Sequence, residues 1–409
     1  MTYPLDNTVR SYAWGSATAI PELLGIAPSG EPQAELWIGA HPVTPSMART
    51  GSGIEALDAL IGKEPERMLG ADVLERFGPK LPFLLKVLAV ERPLSIQAHP
   101  TGPQAEAGYD AENAAGVPLD APDRSYRDRS HKPELVVALS SFEALVGFSD
   151  PADVAPVLRQ LGVPDLDDAA AVLSGRGRDG LAEVVRWTLR LEPDRSARLV
   201  GRVAAACAER AGAEPFATVA RIAELHPGDR GILLALLLQP VHLDPGEAIS
   251  VPAGMPHAYL HGVAVEAQAS SDNTLRAGLT PKHVNVPEVL RVLVYEPAPD
   301  LRIMPIPTPM GDEYAVTGVA EFRLFRLALT PKPSALPGGS PQIVLITEGH
   351  ARLTDDGGST PLAKGASAFV AAENERIALS GDGTAFVVTS AVDPAGYGKM
   401  TIARSPSGR

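Results

Sequence analysis

The chain has 409 residues, 45% of them hydrophobic, with a formal net charge of −13 and a pI of about 5.2. That length exceeds one ordinary core, so two or three well-buried domains are expected, and the acidic balance opposes non-specific attraction to nucleic acid or an anionic membrane. The single cysteine, Cys207 in RVAAACAER, excludes an intrachain disulfide and reads as a small buried residue in a reducing compartment.

Residues 1 to about 150 carry short apolar runs broken by Gly and Pro (LWIGA, LPFLLKVL, LSIQA, ELVVAL), the texture of antiparallel sheet with a few helices. The opening MTYPLDNTVRSYAWG has no basic region followed by an apolar stretch. Within this region IQAHP (96–100) sets Gln97 and His99 two residues apart, and side chains at that spacing on a strand point the same way. Glu134 follows Pro133 and opens the strand-like ELVVAL, where proline's missing N–H costs no ladder bond.

From 151 to 230, AEVVRWTLRL, ARLVGRVAAACAERA and FATVARIAEL place apolar residues at three- and four-residue intervals, which predicts amphipathic helices. The longest strongly apolar run, Ile232 to Leu238, falls far short of a bilayer span, so a soluble, cytoplasmic protein with no membrane partner is expected. Strand texture returns at 241–268, where Pro252, Gly254 and Pro256 fix the backbone ahead of His257. A Pro-rich connector at 297–309 leads to more short strands over about 318–395. There GASAFV (365–370) repeats the pattern of GEAISV (246–251), with Ala371, Glu373 and Arg376 falling opposite Pro252, Gly254 and His257.

The expected fold is therefore mainly β with a helical insertion. Residues 1–150 and 231–300 together form one discontinuous catalytic domain, 151–230 a helical domain, and 301–409 a second β domain that has lost its ligand.

Gln97, His99, Glu134 and His257 make a plausible ligand set for one divalent metal. Two neutral imidazoles, an amide oxygen and a carboxylate leave about one residual positive charge and an open coordination position, which marks a catalytic ion. Nitrogen and oxygen donors without thiolate suit zinc, and also iron or manganese.

The run Gly246-x5-Pro252-x-Gly254-x2-His257 resembles the second cupin motif, a jelly roll with its metal inside, although position 261 is His where that pattern often has Asn. A narrower resemblance comes from YAWG (12–15), AELWIGAHP (34–42), LPFLLKVL (81–88), LSIQAHP (94–100), HKPEL (131–135), FEALVGF (142–148) and GMPHAYLHGVAVEAQASSDNTLRAGLTPKHV (254–284). In this order, covering most of 1–290, they resemble the type I mannose-6-phosphate isomerases. Asn285 departs from the family's usual KHVD.

The resemblance implies a cupin core, a helical domain, a second metal-free jelly roll and one zinc on the same four ligands. It also implies a catalytic role for Arg276 and a sugar-phosphate partner, mannose 6-phosphate or fructose 6-phosphate, at the head of mannose activation.

Such a reaction moves a proton between adjacent carbons through a cis-enediol, so it needs a base and a cation for the developing oxyanion. Arg276 suits the cation, being always charged and bidentate. Lys132 is the leading base, with His131, Asp272, Glu266 or metal-bound hydroxide as alternatives. Lys86, in an apolar strand, is either an edge lysine facing solvent or a substrate contact. Lys282 is a candidate for phosphate. Trp14 and Trp37 read as core aromatics, and Glu35 and His41 either orient the pocket from behind or lie in an ordinary surface loop. Two other readings stand beside the isomerase: an iron-dependent cupin oxygenase on the two His and Glu134, and a non-catalytic sugar-phosphate-binding cupin.

Overall fold

The computed structural model describes residues 1–392, so residues 393–409 of the expected third region lie outside the described residues. Its strands form two sheets of eleven. Five helices, Pro151–Gln160, Asp167–Leu189, Pro193–Ala208, Phe216–Leu225 and Gly231–Ala235, are consecutive, as the 3.6-residue periodicity predicts, and they run slightly past 230. Cys207 is buried among them, and that burial pushes its thiol up to about 11.

Period-two patterning positions the site. Ile96, Ala98, Leu145, Ala258, Leu260, Leu275 and Ala277 share one core with the helical residues Leu173, Val185, Leu199 and Val203. Their alternates Gln97, His257, Tyr259 and Arg276 therefore face the other way, into the jelly roll.

On the second wall, Leu36, Ile38, Leu85, Val87, Leu135, Val137, Val265 and Ala267 pack outward against Leu324, Ile343, Phe369 and Phe386 of the C-terminal sheet. Glu35, Trp37, Lys86, Glu134 and Glu266 are the alternates on that wall. A core of apolar residues encloses the jelly roll on both sides and leaves the polar set inside.

One long strand, His257–Ala269, belongs to both walls. Its start pairs with Ile96–Ala98 and Phe142–Phe148, and its remainder with Phe83–Val90 and Glu134–Ala138. The register shifts between Tyr259 and His261, just before Gly262 at φ 114°. A Cβ there would lie 2.4 Å from the Ser141 carbonyl oxygen, so only glycine lets the strand turn this corner. His261, at the bend, is exposed and lies off the inner face.

The internal repeat is visible in strand lengths. Strands Leu238–Leu243, Ala248–Val251 and His257–Ala269, of 6, 4 and 13 residues, recur as Gly358–Ala363, Ser367–Val370 and Ile377–Thr389 with the same lengths. By strand starts, Ile377 rather than Arg376 falls opposite His257. The second copy's interior holds Phe325, Leu327, Val344, Ile346, Leu379 and Val387, an apolar filling with no ligand.

The expected boundaries are crossed in both directions. Thr2–Asp6, Met47–Thr50 and Gly53–Ala56 join the C-terminal sheet through Ser367–Val370, whereas Arg302–Ile303 pairs with Ala248–Val251 of the first sheet. Composition reports local texture, and strand pairing is long-range, so the sequence does not register this exchange. Asn285 accepts a hydrogen bond from Glu288 N–H and caps the helix Val286–Val292, a task Asn and Asp perform equally well.

Candidate metal centre and substrate pocket

Directly opposed residues of an antiparallel pair share a face. Gln97 stands opposite His257 on one side and Arg276 on the other. Glu266 stands opposite Lys86, which stands opposite Trp37. Two rows of polar side chains thus cross the interior.

His99, Glu134 and His257 are fully buried, or nearly so, and their ligand atoms lie within 4.8 Å of one another. The two imidazole centroids are 5.0 Å apart. His99 donates from Nδ1 to the Asn273 carbonyl at 2.7 Å, and His257 from Nδ1 to the Met255 carbonyl at 3.1 Å. Both rings therefore turn a bare Nε2 lone pair toward the same carboxylate, at 3.2 Å from Glu134 Oε1 and 3.4 Å from Oε2. His99 Nε2 has no hydrogen-bond partner among the described residues.

Burial, with the charge of Lys132, pushes the His99 imidazole down to about 4, so it is neutral at pH 7. Burial alone would raise Glu134, but Lys132 and the two histidines hold its carboxyl well below the usual range. Lone pairs converging in a buried site repel unless a cation lies between them. This donor set fits a divalent ion. The Gln97 amide nitrogen is 3.4 Å from His257 Nε2, and turning the amide over offers its oxygen as a fourth donor.

Around this triad lies a chain of charges. Lys132 Nζ is 2.7 Å from Glu134 Oε1, and Lys86 Nζ is 3.1 Å from Glu266 Oε2 and 5.2 Å from the Trp37 ring centroid. Lys86 is 6% exposed, which overturns the solvent-facing edge reading. Burial works against its charge, but Glu266, Glu35 and Glu134 outweigh it and keep the ammonium protonated.

Trp37 donates to Glu35 Oε2 at 2.5 Å, and His41 Nε2 lies 3.1 Å from Asp272 Oδ2, so Glu35 and His41 belong to the site's support rather than to a surface loop. Asp272, despite burial, is held below its usual value by His41, Lys132 and Lys86. His131 bonds Glu321 Oε1 at 2.7 Å, so its Nε2 is already engaged by a carboxylate that precedes strand Arg323–Leu329.

Arg276 has no hydrogen-bond or ion-pair partner among the described residues. Burial, then the nearby Arg127, disfavours its charge, and Lys282 is depressed by burial, Arg276 and Arg127. Lys282 Nζ also sits 5.8 Å from the Tyr12 ring, which stacks on Trp14. Arg127, whose exposed guanidinium also donates to the Leu119 carbonyl at 2.8 Å and the Ala121 carbonyl at 3.5 Å, thus lies close enough to Arg276 and Lys282 to form one cationic rim, an arrangement that a multivalent anion relieves.

Comparison with known proteins identifies the family of this chain. The family model for the catalytic domain of type I phosphomannose isomerase matches residues 2–150, and that for the mannose-6-phosphate isomerase cupin domain matches 313–390. The mannose-6-phosphate isomerase of Salmonella typhimurium is 40% identical, over 93% of this chain and 97% of its own. That of Mus musculus is 32% identical, over 92% and 95%. The chain belongs to the type I mannose-6-phosphate isomerases.

Solved structures of the family superpose closely. A zinc-bound mannose 6-phosphate isomerase, and the Salmonella typhimurium enzyme bound to its substrate fructose 6-phosphate and zinc, each give a TM-score of 0.89 at 38% identity, covering 95% of this chain and 99% of theirs.

Sequence reasoning missed Tyr259, Asn273 and Arg127. The first was legible: Tyr259 is two residues after His257 on one strand, hence on the same face. Its hydroxyl donates to Glu134 Oε2 at 3.0 Å. Burial, with Glu134 and Glu266 beside it, holds the phenol well above its usual value, so it remains a donor. Tyr259→Phe is expected to weaken zinc binding about tenfold, the usual cost of losing a group that orients a metal ligand. Competition against a chromogenic chelator measures this, and unchanged affinity would show that the hydroxyl does not orient Glu134.

Proposed function

We infer that this chain interconverts mannose 6-phosphate and fructose 6-phosphate at one zinc held by Gln97, His99, Glu134 and His257. The observation that carries this reading is the buried convergence of two bare imidazole nitrogens on one carboxylate, next to an arginine with no partner among the described residues. When bound, zinc supplies Lewis-acid polarisation of a sugar oxygen at the reacting carbons.

The protein's own groups do the rest. Arg276, opposite Gln97 and free of any partner among the described residues, is placed to stabilise negative charge developing on the cis-enediol oxygens. Arg127 and Lys282 complete the rim and are assigned to the phosphate. Lys132 is assigned to move the proton between C2 and C1 from its buried place in the pocket; its ion pair with Glu134, at 2.7 Å, is to a carboxylate that metal binding would draw away, unlike the pair that holds Glu266. Of the alternatives, His131 is engaged with Glu321, Asp272 is made a weaker base by His41, and Glu266 is tied to Lys86. Lys86 and Glu266 are assigned to the sugar hydroxyls, with Trp37 as the wall beneath them.

No helix among the described residues is long and apolar enough to cross a membrane. A free, buried Cys207 supports a cytoplasmic location.

A coupled assay for fructose 6-phosphate formed from mannose 6-phosphate tests the reading. Turnover is expected with zinc, none after chelation, and recovery on readdition. Lys132→Ala should retain substrate binding and lose about a hundredfold or more in kcat. Tight binding of mannose 6-phosphate at full zinc occupancy without ketose, or oxygen uptake on iron without isomerisation, would overturn it. A variant as fast as wild type would remove Lys132 from proton transfer.

A further inference from the structure

Asn273 is fully buried and uses every polar atom it has. Its side-chain oxygen accepts from Arg127 N–H at 2.7 Å and Asp128 N–H at 3.3 Å. Its amide nitrogen donates to the carbonyls of Asp128 and Ser130, both at 2.8 Å, and lies 3.2 Å from Asp128 Oδ1. With donors facing the oxygen and carbonyls facing the nitrogen, only this amide orientation satisfies both sets. Its main-chain carbonyl is the acceptor that fixes His99.

Neighbouring contacts reinforce the same junction. Ser271 Oγ bonds Asp128 Oδ1 at 2.9 Å and accepts from Asn273 N–H at 3.2 Å, and Asp272 N–H donates to Asp128 Oδ2 at 2.8 Å. Segment 127–130 has no regular strand or helix of its own. The Asn273 amide holds four of its backbone polar groups, the Arg127 and Asp128 N–H and the Asp128 and Ser130 carbonyls, while Ser130 N–H bonds Asp128 Oδ1 and Ser271 Oγ shares the Ser130 carbonyl.

We propose that Asn273 is a positioning residue coupling the two ends of the substrate site. Its carbonyl aims His99 at the metal, and its side chain fixes the backbone that carries Arg127 to the rim. The phosphate half rests on the assignment of that rim to phosphate. All its polar atoms are taken by protein partners, so its effect is transmitted through His99 and Arg127. Removing the amide frees 127–130 and lets the 271–273 backbone shift, disturbing both ends together.

The test is a cycle of Asn273→Ala with Arg127→Ala, read by zinc competition against a chelator and by KM for mannose 6-phosphate. Asn273→Ala is expected to loosen zinc at least about tenfold and to raise KM by a similar factor. In the Arg127→Ala background, zinc should loosen as before, while KM should rise no further, since the effect on phosphate has lost its carrier. Asn273→Asp, which keeps the volume and the acceptor but faces two carbonyls without donors, should shift both readouts the same way and serves if the alanine variant does not fold.

Zinc affinity within twofold of wild type in a folded variant overturns the coupling, as does a full multiplicative KM effect in the cycle. If Arg127→Ala alone leaves KM unchanged, the rim assignment and the phosphate half fail together. The zinc result then judges the His99 half separately.

Discussion

His257→Ala is expected to empty the metal site and to abolish turnover, by at least about a thousandfold, with little change in the β-sheet signal. The imidazole supplies one of the bare nitrogens converging on Glu134, and its ring is held by the Met255 carbonyl at the start of a strand whose pairing does not depend on it. Without it, Gln97, His99 and Glu134 remain, only one of them an imidazole and one a weak amide oxygen, a set that holds zinc poorly against solvent. Elemental analysis beside the coupled assay decides the matter, and full zinc retention would break the ligand assignment. Chelated wild type should melt earlier too, because a ligand at a thousand times its Kd stabilises the folded chain by about 4 kcal/mol.

Arg276→Ala is expected to separate rate from metal: zinc content unchanged, kcat lower by about a hundred- to a thousandfold, the usual cost of removing one group that stabilises a developing oxyanion. Arg276 sits two strands from His257, across Gln97, so it is adjacent to the centre without being part of it. Arg276→Lys should restore little, since a point charge on a flexible stem does not reproduce a planar pair of donors. Unchanged turnover in either variant would take Arg276 out of the mechanism. A large loss of zinc would make it a support for the metal instead.

The legible part of the site follows from local rules. Gln97 and His99, or His257 and Tyr259, share a face because strand side chains alternate, and the helices from 151 onward announce themselves by apolar spacing. The repeat of GEAISV in GASAFV likewise becomes a second jelly roll of matching strand lengths. Lys86 shows where such rules stop. Its strand FLLKVLAV is buried throughout, and nothing local says whether the lysine at its centre meets water or a carboxylate. Glu266, brought opposite by an antiparallel register spanning 180 positions of chain, settles it.

By itself, the sequence determined the β-rich class, the run of helices after 150 and the residue types offered as donors to the candidate centre, since each depends on residue type and short spacing. Only the tertiary structure decided that Asn273 holds both His99 and the backbone of Arg127, that His131 answers to Glu321, and that strands 2–6 and 47–56 complete the far sheet. Those contacts join segments dozens to hundreds of residues apart, where the free energy of closing a loop and burying its polar groups depends on the whole fold and leaves no mark on neighbouring residues.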